Sequence, residues 1–251
     1  MVKTLIVIAA AAFGTCLLLL GIVAATGSLG FFNHPYALLD SPGDKPVATG
    51  TNSKAWAWTG DDFKNDVPAD IHYEPGVKGP ARIIVRGPSA ELDKIGFAHG
   101  KLAFTQREEN RGFNRVDVTL RGAIVRKFSF AGDSHLTLGA VNQDRLDVNV
   151  AGAAIIDAAA PGHVDTLTLN IAGHSEDHLG KLAADTVHIH IAGHGDITIA
   201  PIDTANIDIM GRGDIKLMTK PKKLRTHVMG SGRVTDAAGH VVQSNFGIGA
   251  N

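Results

Sequence analysis

Three side chains that commonly bind metal ions recur at nearly equal intervals late in the sequence: His190, Asp208 and His227. Imidazole nitrogens and a carboxylate oxygen form ligand sets that suit Zn²⁺ and similar ions. The same residues would also form an ordinary solvated polar surface on which acids and bases lie side by side without a metal. Both interpretations require that separate segments of the chain bring these residues, and the neighbouring His188, close together.

The sequence contains none of the short motifs that mark the better-known catalytic centres. A nucleophile elbow, a phosphate-binding loop and a HExxH helix are all absent. We therefore predict no catalytic residues, no cofactor and a function other than catalysis. The alternative is a small carbohydrate-active or metal-dependent enzyme, with His190, Asp208 and His227 as its metal ligands.

A basic segment, "KLMTKPKKLR", lies between residues 216 and 225 and contains five lysine and arginine residues but no acidic residue. Such a segment can attract acidic polysaccharide or anionic lipid head groups, or it can be a solvated loop. The whole chain has a net charge of −1, whereas a nucleic-acid partner requires a basic surface. We therefore expect no nucleic acid as partner, and instead an envelope ligand such as a polysaccharide or a protein.

These residues belong to a repeat with a period of about 20 residues. Glycines that follow a strand-like segment are spaced 20, 21, 20, 18 and 19 residues apart, at Gly132, Gly152, Gly173, Gly193, Gly211 and Gly230. Aliphatic residues occupy every second position on either side of these glycines, as in "VHIHIAGHGDITI". The pattern predicts an all-β fold, namely a right-handed parallel β-solenoid (β-helix) in which each repeat forms one turn.

A solenoid places equivalent residues of successive turns directly above one another, about 4.8 Å apart. One inner ladder is expected to contain Val148, Leu169, Ile189, Ile207 and Thr226, and the next Val150, Ile171, Ile191, Ile209 and Val228. The outward ladder between them is expected to contain Asn149, Asn170, His190, Asp208 and His227. The alternation therefore predicts one buried and one solvated face for each strand.

Three further expectations follow from the same alignment of the repeats. Asp177 falls at an inner position, and because a buried unpaired carboxylate is costly, we expect a bulge in the register there. The repeated glycines are expected where the coil bends tightly, since glycine tolerates positive φ. His174 and His194 follow equivalent glycines and should stack at one corner.

The first 26 residues are predicted to form a transmembrane helix or an export signal. Residues 5–25 contain no charged residue and no proline, and about 20 apolar residues suffice to cross a bilayer as a helix. Lys3 precedes this segment and the next basic residue is Lys45, so the positive-inside tendency places the rest of the chain outside the cytoplasm. We expect residues 27–54 to be a flexible linker, 55–240 the solenoid domain and 241–251 a C-terminal tail.

The Gly-X-Gly-Asp-Ile phrase, the repeat period and the single N-terminal apolar segment together resemble the head GIN domain of a bacterial family of putative auto-transporter adhesins. The resemblance covers residues 60 to 237. It implies a β-helical domain exported to the cell envelope, and no catalytic residue is carried over from the family. The turns that begin at Gly152 and Gly173 lack the second glycine of the phrase.

We expect a non-catalytic module for binding, adhesion or scaffolding that is exposed in the bacterial cell envelope. A periplasmic regulatory partner of an inner-membrane protein is a further alternative, because a single membrane anchor would place the domain there. The N-terminal segment is the expected contact with the membrane, with the domain either in the periplasm or exported to the cell surface. Exposed end turns of a solenoid would allow a homo-oligomer.

Overall fold

The computed structural model describes residues 44–50, 52–105 and 112–245. In these ranges the chain forms 19 strands and one short helix, which confirms the all-β fold class. The predicted transmembrane segment and residues 27–43 of the predicted linker lie outside the described residues. Within the described ranges, no helix has the length and apolar character needed to cross a membrane.

The strands that precede the first repeated glycine are short. They are β1 (Ala48–Gly50), β2 (Ser53–Ala57), β3 (Asp62–Asn65), β4 (Ala69–Glu74), β5 (Arg82–Arg86), β6 (Ile95–Ala98), β7 (Lys101–Phe104), β8 (Val116–Arg121) and β9 (Lys127–Phe130), with helix α1 (Ser89–Leu92) between β5 and β6.

The strands of the regular repeats follow, and two of them continue around a corner of the coil. They are β10 (Asp133–Leu138), β11 (Asn142–Val150), β12 (Ala153–Ala158), β13 (Gly162–Ile171), β14 (His174–Ile191), β15 (His194–Ile209), β16 (Arg212–Leu217), β17 (Lys223–Val228), β18 (Ser231–Thr235) and β19 (Val241–Asn245).

Strands of successive turns pair in parallel and form two stacks, here called the first and second sheets. The first sheet runs from β4 through β10, β12, the N-terminal halves of β14 and β15, and β16 to β18. The second sheet runs from β3 through β9, β11, β13, the C-terminal halves of β14 and β15 to β17. This arrangement confirms the solenoid-like stack of coils, while the handedness of the coil stays a prediction.

The two inner ladders predicted for the second sheet are confirmed. The ladder that begins at Val148 is in register from each turn to the next down to Thr226, and the ladder that begins at Val150 is in register down to Val228. Ile171, Ile191 and Ile209 are at most 3% exposed. Each fully buried aliphatic side chain contributes roughly 1.5–3 kcal/mol, so the ladders supply a core that needs no disulfide.

The bulge predicted at Asp177 is wrong. Asp177 pairs in register with Ile156 on one side and Ile197 on the other, so its side chain points inward and is 1% exposed. The Ser175 hydroxyl donates a 2.6 Å hydrogen bond to Asp177 Oδ1, and burial raises the pKa of the carboxyl to about 7. The expectation of a bulge assumed that the carboxyl is ionised. A protonated carboxyl with one hydrogen bond costs less free energy to bury than an ionised one. The irregularities of this strand pair occur later, between Leu179 and Thr186.

The explanation expected for the six repeated glycines is also wrong. None of them has a positive φ. A Cβ atom at any of these positions would instead lie closer than 3.0 Å to a backbone carbonyl oxygen of an earlier turn. For Gly193 that oxygen belongs to Gly173, which accepts a hydrogen bond from the amide of His194. The glycines are therefore required because backbones of successive turns stack closely at this corner, not because the chain turns through a left-handed conformation.

Antiparallel strands are added to the first sheet at both of its ends. β8 pairs with β4 in parallel, and β5, β2 and β1 then add successively in antiparallel orientation. At the other end β19 lies antiparallel to β18. The strands therefore extend into residues predicted to be linker (β1 and the start of β2) and C-terminal tail (β19). In the second sheet, β17 pairs only with β15 among the described strands.

Candidate functional site

The outward face of the second sheet carries polar side chains in continuous rows. The predicted outward ladder is in register, and it begins one turn earlier than expected, at Ser129. Asn170 donates a 2.9 Å hydrogen bond to Asn149 Oδ1, and Asn149 lies 3.5 Å from the Ser129 hydroxyl. The row is ordered by these contacts between turns; Ser129 is buried, while the side chains from Asn149 onward stay partly accessible to solvent.

His190 and Asp208 are in contact, as the sequence pattern requires for a metal site. His190 Nδ1 lies 3.2 Å from Asp208 Oδ2. His227 is in register with Asp208 on the following turn, but within the described ranges it forms neither a hydrogen bond nor an ion pair with that carboxylate. The structure thus brings two of the three predicted ligands together, and metal binding by His190, Asp208 and His227 stays a prediction.

A second row on the same face contains Thr168, His188, Asn206 and Arg225 in register. Burial lowers the pKa of His188, and the positive charges of His190 and Arg145 lower it further. A neutral imidazole can donate one hydrogen bond and accept another. His188 Nδ1 lies 3.4 Å from Asn206 Nδ2, so the second ring nitrogen is directed away from this contact.

A row of aspartates at the edge of this face was missed by the sequence reasoning. Asp144, Asp165 and Asp185 occupy matching positions in β11, β13 and β14, and Asp203 follows in β15 across a register shift. The dipeptide Asp-Thr begins at residues 165, 185 and 203, and this recurrence in the sequence could have predicted the row. It went unnoticed because the alignment of repeats was anchored on the glycines and on the aliphatic positions.

His163 lies beside this aspartate row, two residues before Asp165 in β13. His163 Nε2 is 3.1 Å from Asp185 Oδ1, and ligand atoms of His163, Asp165 and Asp185 all lie within 4.8 Å of one another. Within the described part of the chain, these three residues form the group whose potential ligand atoms lie close enough together to hold a metal ion. The side chains of Asp165 and His163 are 66% and 44% exposed, so both groups are already hydrated by solvent.

The outward face of the first sheet also carries a row of carboxylates, which lines an open groove of about 350 Å³. Glu176, Asp196 and Asp214 are in register on three successive turns. Each has its own basic partner: His178 at 3.3 Å from Glu176, His194 at 3.5 Å from Asp196, and Arg233 at 2.9 Å from Asp214. Because each carboxylate already has a side-chain partner within the protein, the row favours a solvated polar surface over a site for a cation.

The predicted stack of His174 and His194 is confirmed. Their ring centroids are 4.8 Å apart and the rings are parallel within 1°. The stack lies at the glycine corner, where His174 and His194 are paired in register. This spacing matches the distance between turns, so the stack follows from the coil geometry and needs no ligand.

The geometry of the second sheet favours recognition of an extended polar ligand. Amide, hydroxyl and imidazole groups recur on every turn, and each can donate or accept hydrogen bonds. The groups lie in rows along one face of the sheet, rather than converging from several elements on one point as a nucleophile, a base and their orienting group must. A repeating polymer with hydroxyl groups can contact several turns at once.

Comparison with protein families gives one match, over residues 70–221, to a model described as "Putative auto-transporter adhesin, head GIN domain". The matched residues include most strands of both sheets and most of the polar rows. A search of curated proteins found no match.

Several solved structures are similar to this chain. A putative adhesin from Bacteroides fragilis has a TM-score of 0.54 and 18% identity, and the likeness covers 77% of this chain and 100% of that one. A putative lipid binding protein from Parabacteroides distasonis has a TM-score of 0.42 and 15% identity, covering 74% and 97% of the two chains. A putative adhesin from Parabacteroides merdae has a TM-score of 0.35 and 14% identity, covering 76% and 98%. At these identities, the first likeness shows a shared fold.

Proposed function

The chain belongs to the family of putative auto-transporter adhesins with the head GIN domain, and from this we propose that it is a non-catalytic, adhesin-like binding module of the bacterial cell envelope. Its ligand is a polysaccharide that lies across the turns of the second sheet. The observation that carries this proposal is the set of polar rows, in which Asn149, Asn170 and His190 present hydrogen-bonding groups on three successive turns.

The arrangement of these rows supports an extended ligand over a small compact one. Polar groups repeat at the spacing between turns, about 4.8 Å, and the contacts among them already hold the side chains in place. Side chains that are ordered before binding lose less conformational entropy when the ligand arrives. A polymer that contacts several turns gains further affinity because its later contacts form within one molecule.

Replacement of both Asn149 and Asn170 by alanine is expected to weaken polysaccharide binding about tenfold. Each neutral hydrogen bond contributes roughly 0.5–1.5 kcal/mol, and about 1.4 kcal/mol corresponds to a tenfold change in affinity. Binding of the full-length chain, purified in detergent, should be measured on an array of envelope and host polysaccharides. The unfolding temperature should change little, because both side chains face outward.

The double variant Thr137→Ala and Thr198→Ala is the matched control, since it removes two outward polar groups from the first sheet. It should bind polysaccharide like the unaltered chain. Equal losses in both double variants would place the ligand elsewhere or indicate a general loss of structure. If the unaltered chain binds no glycan but captures a specific inner-membrane protein, the regulatory-partner alternative would replace this proposal.

We further propose that residues 5–25 anchor the chain in the inner membrane and leave the domain in the periplasm. The support is the uncharged apolar segment and the position of Lys3 before it. Protease added to spheroplasts is expected to degrade the domain, whereas intact cells should protect it. Degradation in intact cells would instead indicate export to the cell surface.

A further inference from the structure

The C-terminal end of the solenoid core is incompletely covered. Leu224 of β17 occupies an inner position, in register with Ala205, which is 0% exposed. Leu224 itself is 37% exposed, because among the described strands no later turn lies over it. Met218 and Val242 nearby are 42% and 45% exposed. Large apolar side chains grouped at one exposed place are typical of a surface that contacts a partner.

These residues line one open groove of about 470 Å³. Its wall is mostly apolar and contains Met218, Pro221, Leu224 and Val242, together with Lys220. The one carboxylate in the lining, Asp236, accepts hydrogen bonds from the backbone amide of His240 at 2.8 Å and from its Nδ1 at 3.2 Å. Those hydrogen bonds hold the pKa of Asp236 below its usual value, and the carboxylate is already satisfied within its own turn.

The chain segment that contributes Met218, Pro221 and Leu224 to the groove is basic. The segment from residue 216 to 225 contains five basic residues and no acidic one. Lys222 is paired with Asp203 at 2.6 Å, whereas Lys220, Lys223 and Arg225 have no carboxylate partner within 4.0 Å in the described part of the chain. Exposed cations that have no partner in the protein favour an anionic partner.

The free edge of β17 argues against a second copy of this chain as that partner. An unpaired edge is a template for strand addition, but Lys223 and Arg225 flank Leu224 in β17, so an antiparallel pair centred on Leu224 would place Lys223 of one copy opposite Arg225 of the other. Like charges brought together in this way are unfavourable. A soluble acidic polymer would satisfy the cations but leave Met218 and Leu224 in contact with water.

We propose that the C-terminal end of the solenoid docks on the surface of an anionic lipid bilayer. Met218, Leu224 and Val242 enter the boundary between head groups and acyl chains, and Lys220, Lys223 and Arg225 contact the anionic head groups. A bilayer surface satisfies both features at once, since apolar burial and attraction to anionic lipids add in such contacts. Arg225 also ends the second polar row of the second sheet, but Met218, Lys220, Leu224 and Val242 lie outside the polar rows, so the inference does not depend on the proposed polysaccharide ligand.

The test uses the full-length chain held in nanodiscs of neutral phosphatidylcholine, so that its N-terminal segment is already accommodated. Sucrose-loaded vesicles are added, made either of phosphatidylcholine alone or with about one third phosphatidylglycerol, and pelleted. We expect at least about tenfold more protein to pellet with the anionic vesicles, and this excess should decrease as the salt concentration rises. The proposal would be overturned if the same amount of protein pelleted with neutral and anionic vesicles, or if no protein pelleted with either. This holds independently of the results for the variants described next.

Two variants separate the charged from the apolar contribution. The triple reversal Lys220→Glu, Lys223→Glu and Arg225→Glu should abolish the excess, and Met218→Ser with Leu224→Ser should reduce it at least about fivefold. The matched control reverses three exposed charges at the opposite end, Lys45→Glu, Lys78→Glu and Arg86→Glu, and should pellet like the unaltered chain.

Other outcomes would contradict bilayer docking. Retention of vesicle binding in the serine variant would indicate simple attraction of anions without insertion. Loss of binding in the opposite-end control would indicate a general effect of net charge. A dimer detected by sedimentation that both groove variants disrupt, without any vesicle binding, would assign the groove to a second copy.

Discussion

Replacement of Gly193 by alanine is expected to lower the free energy of unfolding by about 3 kcal/mol or more. The added Cβ would overlap the carbonyl oxygen of Gly173, and this oxygen accepts the hydrogen bond that joins the two turns at His194. Neither partner can move without shifting backbone that is itself paired to the next turn. For a domain of this size the loss corresponds to a decrease of roughly 10 °C in unfolding temperature, measurable by circular dichroism.

The control for this prediction is Gly180→Ala. A Cβ at Gly180 would meet only side-chain atoms, of Met218 at 3.1 Å and Thr198 at 3.3 Å. These side chains can move by a few tenths of an ångström, so we expect a change below about 1 kcal/mol. Comparable losses in the two variants would show that glycine acts through general backbone freedom, and the explanation by close stacking of turns would fail.

Replacement of Asp177 by asparagine is expected to remove a large dependence of stability on pH. The carboxyl keeps its proton in the folded protein up to a pKa of about 7, against an ordinary value of 3.8. Between these values the folded state holds more protons than the unfolded state, so the free energy of unfolding falls as the pH rises. Below about pH 4 the carboxyl is protonated in both states, and above about pH 7 it is ionised in both, so the loss is then complete.

The size of this effect follows from the shift in pKa. A difference of one pKa unit corresponds to 1.36 kcal/mol, so the rise to about 7 corresponds to roughly 4 kcal/mol. Asparagine can accept the same hydrogen bond from Ser175 but cannot ionise. We therefore expect the unfolding free energies of the unaltered chain and Asp177→Asn to diverge steadily between pH 4 and pH 7, in favour of the variant.

Asp196→Asn is the matched control for Asp177→Asn. Asp196 lies on the next turn, but its side chain faces outward and is 52% exposed. Urea unfolding of this variant should follow the pH profile of the unaltered chain. A constant difference between the unaltered chain and Asp177→Asn at all pH values would mean that Asp177 does not change its protonation on unfolding.

The sequence alone determined the stack of turns and the residues that fill it. Aliphatic residues at every second position can be buried only if one face of each strand is covered. A repeat too short for an intervening helix leaves the neighbouring turn as the cover. The ladders that begin at Val148 and Val150, the outward row through His190, and the stacked pair His174 and His194 followed from this alignment, because a coil with a fixed period turns spacing in sequence into contact in space.

The tertiary structure determined the features that the spacing of residues in the sequence does not predict. Whether Asp177 is accommodated by a bulge or by protonation depends on Ser175 beside it and on the exclusion of water, which no repeat pattern encodes. The reason for the repeated glycines depends on the distance between backbones of successive turns, not on any local turn. The open groove at Leu224 exists because, among the described strands, the end of the stack is covered over the first sheet by β18 and β19 but not over the second sheet. Local alternation fixes which face a side chain occupies, whereas the environment of that face is set by the turns above and below it.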